Sequence, residues 1–196
     1  MTELTTKTTY FRRPGRANTA RTLELARARA DALNVHTVLV ATTGGETGRL
    51  VAQGFQDFDV IVVTLSTGFW APDSQELTPE NRTAIEAAGA QLLTCQHALG
   101  GVNRAVRVKL ATHQLDEIIA HTLRLQGQGF KVVAEMALMA ADAGLLRTDT
   151  PVLAIAGTSR GADTAVLLLP TNAQTFFDLK IIEIICRPSP AHPAFA

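Results

Sequence analysis

Four short stretches of this chain carry residue types that could do chemistry. One is Thr42-Thr43-Gly44-Gly45-Glu46-Thr47-Gly48, which joins a β-prone run to the start of a helical pattern. Amides at a helix N-terminus attract anions. The glycines let a phosphate approach the backbone, and the Thr42, Thr43 and Thr47 hydroxyls supply further donors. A plain tight turn with threonine caps is the other reading. The segment lacks the GK[ST] ending of a P-loop, and Glu46 adds negative charge that disfavours a polyphosphate. A second stretch, 157–164, holds Arg160, Gly161 and Asp163. Arg160 offers a planar fork for phosphate or carboxylate, and Gly161 permits unusual backbone angles. Asp163 either accepts from ligand hydroxyls or holds Arg160. A third, Thr64-Leu65-Ser66-Thr67-Gly68-Phe69-Trp70, sets hydroxyls beside two rings in a chain with only 5% aromatics. Those rings either cover a planar heterocycle or anchor the loop. The fourth, Arg12–Asn18, brings three arginines and Asn18, which either enters the crevice or caps the next helix.

Other groups point to chemistry less well. Cys95 and His97 sit close together, but no third and fourth ligand has matching spacing, so no metal is expected. His113 and His121 read as lying off a common helix face. Ser66 and Ser159 stand outside any G-x-S-x-G elbow. No acid, base or nucleophile is singled out by motif.

The elements that must position these loops alternate along the chain. Thr8–Phe11, Thr37–Ala41, Val60–Val63, Gln91–Thr94, Val152–Ala156, Ala165–Leu169 and Ile181–Cys186 read as strands. Continuous apolar runs such as Thr-Val-Leu-Val-Ala suit parallel strands covered on both faces. A helix with Leu23, Ala26, Ala30 and Leu33 at helical spacing follows Asn18 and Thr19. Shorter helices follow Glu46, to about Phe55, and Pro79, to about Ala88. An Arg- and Lys-rich helix is read over 102–110 and an amphipathic one over 114–126. The charges decide 130–143: Lys131, Glu135 and Asp142 fall within about 40° of one another on a helical wheel. That predicts a mostly buried helix with a thin polar stripe, or an internal ion pair, stopped at Gly144. The last two strands follow each other without a helix, which predicts an antiparallel edge or a hairpin-like return. A mainly parallel α/β sandwich results. Ligands of such sheets bind beyond the carboxyl ends of the strands, where all four loops lie.

Length and charge narrow the class. One domain of 196 residues, 46% apolar with 18 acidic and 18 basic side chains, has no footprint for nucleic acid and is not disordered. Two cysteines make no disulfide framework. The stretch Met1–Thr5 lacks the basic and apolar regions of a signal peptide, and no run suits a membrane span. A cytoplasmic protein is expected, with a Pro-rich tail frayed from about Pro188.

The segment TVLVATTGGETGRLVAQGFQDFDVIVVT, 37–64, resembles the C-terminal α/β domain of pyruvate kinase. The blocks TYFRRPGRANTARTLELA, VTLSTGF, KVVAEMALMAADAGLL, AGTSRGADTAVLLLP and FFDLKIIEIICRP are similar to stand-alone proteins of that domain type. The resemblance spans about Thr8 to Pro188. It implies a three-layer α/β/α sandwich with a mixed, mostly parallel sheet. In pyruvate kinase the Thr/Ser-rich turn binds a sugar-phosphate effector, and the domain adds subunit contacts. Carried to this chain, that turn is Thr42, Thr43, Gly44, Gly45, Glu46 and Thr47. This chain has Gly45 and Glu46 where such turns usually carry Lys or Arg. The catalytic barrel is not in the sequence, so kinase activity is not expected. The stand-alone relatives imply a flavoprotein-like role: a homo-oligomer binding FMN or a similar phosphorylated nucleotide. A flavin-dependent enzyme and a detached regulatory module are the alternatives.

Overall fold

Residues 3–195 are described by a computed structural model. Seven strands form one sheet in the order β1-β7-β6-β5-β2-β3-β4. They are β1 (Thr9–Phe11), β2 (Thr37–Ala41), β3 (Asp59–Val63), β4 (Gln91–Leu93), β5 (Val152–Ala156), β6 (Thr164–Leu169) and β7 (Lys180–Pro188). Six α-helices accompany them among the described residues: α1 (Thr19–Leu33), α2 (Glu46–Gly54), α3 (Pro79–Ala87), α4 (Gly101–Leu110), α5 (Leu115–Leu123) and α6 (Gln128–Asp142).

The central strands β2, β3, β5 and β6 are buried on both faces, and their alternation builds two cores. Val38, Val40, Val60, Val62, Leu153 and Ile155 turn toward α1, α2 and α3, where they meet Ala26, Ala30, Val51 and Ile85. Leu39, Ile61, Ala154, Val166 and Leu168 turn the other way, onto Phe130, Val133, Met136, Ala137 and Ala140 of α6. Three layers result.

β6 runs antiparallel to both β5 and β7, while the remaining pairs are parallel. The expected reversal is present, but it is no edge: β6 is interior and fully paired, and β1 and β4 are the edges. Two reversals restore direction, so β1, β2, β3 and β5 all end on the same side of the sheet. The tail also departs from the frayed reading. Pro188 pairs with Phe11, the Ser189 amide donates to the Phe11 carbonyl at 3.0 Å, and His192 stacks on Tyr10. An edge strand with a parallel partner thus holds the chain beyond Pro188.

Helix limits follow local chemistry. Thr78 caps α3, accepting from the Asn81 amide, with Pro79 at the first helical position. α5 opens on a reciprocal capping box between Gln114 and Glu117. Gly144 (φ +73°) takes the left-handed turn after α6. Of the predicted polar stripe, Lys131 and Glu135 are buried, whereas Asp142 lies at the exposed end and accepts from Asn172 and the Ala173 amide. No helix among the described residues is long and apolar enough to cross a membrane.

Candidate functional site

The loops after β2, β3, β4 and β5 surround a cavity of about 1150 Å³ beyond the carboxyl ends of the strands, while no residue of the loop after β1, 12–18, lines it, contrary to expectation. One face of α6, through Lys131, Glu135 and Met139, forms its floor. α4 and α5 wall the far side.

The turn after β2 delivers Thr42, Thr43, Gly44, Glu46 and Thr47 to the cavity. The Thr42 hydroxyl accepts from the Gly45 amide at 3.1 Å, which closes the turn. Gly45 does not line the cavity. At φ +100° it takes a conformation that favours glycine, and a Cβ there would stand 2.3 Å from Asn81 Cβ. The Gly44 carbonyl accepts from Asn81 Nδ2 at 2.8 Å, so α3 braces the turn from behind. The first amides of any helix lack intrahelical acceptors, and Gly45 supplies no side-chain cap to α2. Glu46, at the rim, pairs with Arg16 at 3.2 Å, and both are exposed.

Within the loop after β5, Gly157, Ser159, Arg160 and Gly161 reach the cavity. Arg160 is exposed and has no hydrogen-bond or ion-pair partner among the described residues. Asp163 takes neither predicted role. It is fully buried and accepts from the Gly15 amide (2.8 Å), the Thr158 amide (3.1 Å) and the Thr164 hydroxyl (2.8 Å). These three donors hold the carboxylate inside the fold, away from the exposed Arg160. Asn18 also stays out of the cavity. It stands at the N-cap without a side-chain cap bond and donates instead to the Arg13 carbonyl at 2.7 Å. Thr19 links the two loops, donating to the Arg16 carbonyl and accepting from the Ala162 amide.

From the loop after β3, Thr64, Ser66, Gly68, Phe69 and Trp70 line the cavity, while Thr67 is exposed outside it. Trp70 is 66% exposed and meets Phe69 edge-on. Phe69 has Arg104 over its ring at 4.4 Å and the tilted His97 ring 5.1 Å away.

His97, Arg104, Arg107, His113, Glu117, His121 and Arg124 also line the cavity; the motif reading set the three histidines aside and passed over the others. Arg107 pairs with Glu117. His113 precedes α5 and so shares no helix face with His121, as expected, yet its ring folds back to within 5.8 Å of the His121 ring. The Arg- and Lys-rich composition of 102–110 was the available signal for this wall.

Burial lowers the pKa of His97 below its ordinary value of 6.5, with Lys131 and Arg104 adding to the shift and Glu135 opposing it. A depressed folded-state value means the unfolded chain binds more protons just below that pH. Stability from this group is therefore present above about 6.5 and is lost as pH falls toward the folded value. Urea midpoints measured from pH 7.5 down to 5 should fall more steeply for the native protein than for His97→Gln. Equal slopes would show that His97 is not held neutral.

A family model described as pyruvate kinase, alpha/beta domain, matches residues 20–168. Solved structures of Cryptosporidium parvum pyruvate kinase are also similar. One has a TM-score of 0.39 and 16% identity, over 81% of this chain and 24% of that chain. A complex with ADP has a TM-score of 0.37 and 14% identity, over 79% of this chain and 23% of that one. The chain spans about a quarter of the length of those enzymes.

Proposed function

Because the chain belongs to the pyruvate kinase α/β-domain family, we propose that it binds a small phosphorylated ligand with a planar head, FMN or a similar nucleotide. One observation carries the reading. The uncapped start of α2 opens onto the same cavity as the partnerless Arg160 and the Phe69 ring. Backbone amides, threonine hydroxyls and a free guanidinium suit a phosphate. The rings of Phe69 and Trp70, with Met136 and Met139 across from them in the lining, suit a flat apolar head. The cavity volume, about 1150 Å³, lies just above the usual span of about 300–1,000 Å³ for small-molecule sites.

Calorimetric titration tests it. FMN should bind more tightly than riboflavin, and inorganic phosphate should compete. Gly44→Asp places a carboxylate in the turn. A Cβ at Gly44 meets nothing nearer than the Glu76 carbonyl at 3.8 Å, so the fold should be kept. Binding should weaken about 100-fold or more, roughly 3 kcal/mol, as the anion meets a like charge. Unchanged affinity would move the site to another loop. No heat with FMN or with sugar phosphates would sink the reading.

A further inference from the structure

α6 is apolar along most of its length, yet it buries one ion pair. Lys131 Nζ donates to Glu135 Oε2 one turn on, with the two side chains 8% and 5% exposed. Both lie on the face of α6 that floors the cavity. A second segment completes the group. Glu135 Oε1 accepts from the Leu99 amide at 3.0 Å, and His97 Nδ1 faces Glu135 Oε2 at 4.0 Å. His97 Nε2 accepts from the Ser66 amide at 3.4 Å, which places the ring proton on Nδ1, toward the carboxylate.

A buried ion pair is weak as a stabilising device, because apolar residues of similar volume usually do as well. Here the pair lies where a ligand would touch it. Burial pushes the Lys131 ammonium below its ordinary value, against the pull of Glu135. A lysine in this setting gives up its proton more readily than a surface one and becomes a nucleophile toward carbonyl carbon. The chain holds three other lysines, Lys7, Lys109 and Lys180, and none lines the cavity.

We propose that Lys131 forms an imine with an aldehyde or ketone whose phosphate occupies the turn at 42–48. This rests on the phosphate-binding reading above. The Lys131 ammonium passes one proton to Glu135, and the free amine adds to the carbonyl carbon. The second amine proton moves to the oxygen, giving a carbinolamine. Glu135 returns its proton to that hydroxyl, the C–O bond breaks, and water leaves. The product is a protonated imine beside the restored Glu135 carboxylate, so the buried pair keeps its charges. His97, through its Nδ1 proton, is a positioning residue for that carboxylate.

Borohydride trapping with pyridoxal 5′-phosphate as probe tests this, read by peptide mass mapping at neutral pH. Expected is a saturable label on Lys131, suppressed by millimolar inorganic phosphate, with Lys7, Lys109 and Lys180 reacting only slowly. Glu135→Gln should slow labelling about tenfold or more by removing the proton acceptor. Lys131→Arg should abolish that label, with its circular dichroism and melting temperature checking the fold. Labelling confined to the other three lysines would overturn the assignment. Binding of the probe that phosphate displaces, without a label at Lys131, would overturn it too and would leave the phosphate site standing. Equal labelling of Lys131 by pyridoxal lacking the phosphate would keep the amine and remove the phosphate site.

Discussion

Asp163→Ala should destabilise the protein by about 3–5 kcal/mol, because hydrogen bonds to a charged group contribute roughly 1.5–3 kcal/mol each and orphaned buried donors add to the loss. The carboxylate ties Gly15, in the loop after β1, to the loop after β5, where it also holds the Thr158 amide and the neighbouring Thr164 hydroxyl. It is fully buried, so water cannot readily replace it. The three bonds are not independent, and their sum overstates the cost. At about 2–4 °C per kcal/mol for a domain of this size, the melting temperature should drop by roughly 6–20 °C. Asp163→Asn keeps the shape and one acceptor, and should cost less. Thermal melts of the two variants beside the native protein make the measurement. A loss below 1 kcal/mol for Asp163→Ala would show that the loops hold their positions without it.

Gly129→Ala should cost about 2–4 kcal/mol, against the usual trend that Ala in a helix gains about 1 kcal/mol over Gly. Gly129 lies in the first turn of α6, and its backbone angles are open to any residue. The obstacle is contact. A Cβ there would stand 2.2 Å from Thr164 Oγ1, 2.6 Å from Thr164 Cβ and 3.1 Å from Asp163 Oδ1. Neither neighbour is the free end of a flexible chain, since Thr164 is fully buried and bonded to Asp163. The start of α6 would have to lift from the sheet. Gly54→Ala is the control: it also lies in a helix, and a Cβ there meets nothing within 4 Å. Urea unfolding should rank Gly54→Ala at or above the native protein and Gly129→Ala well below it. Equal stabilities would mean that α6 moves away at no cost. Asp163 and Gly129 share Thr164, so the double variant should depart from additivity.

How far the sequence carried this picture depends on which forces set each feature. The strands were readable because a strand buried on both faces must be continuously apolar, as in Val38–Val40 and Leu153–Ile155. The turn at 42–48 was readable because helix starts and glycine geometry are local properties. The place of β6 was not, since periodicity says nothing of strand neighbours. Polar roles were harder still. Asp163 takes Gly15 from a loop that only the fold brings near, whereas Asn18 turns to Arg13 of its own loop in place of the helix cap. The wall built by α4 and α5 escaped for a different reason. Arg104, Arg107 and Arg124 face a cavity rather than a core, so their helices show no clear apolar stripe pointing to it. Lys131 and Glu135 were seen as a stripe or pair, but their place in the floor of a cavity was not legible from spacing.

The pairing of β1 with the last residues of β7 joins positions such as Thr9 and Cys186 across nearly the whole chain. A ribosome adding about 5–20 residues each second needs roughly 9–35 s between making the first of these and the second. Until then the loop at 12–18 has no strand edge to hold it, and Gly15 cannot hold its place against Asp163. The brace from Gly15 to the loop after β5 therefore forms only once β7 has been made. A nascent chain halted before β7 should already carry the β2–β3 half of the site, yet leave the Arg160 loop without its brace.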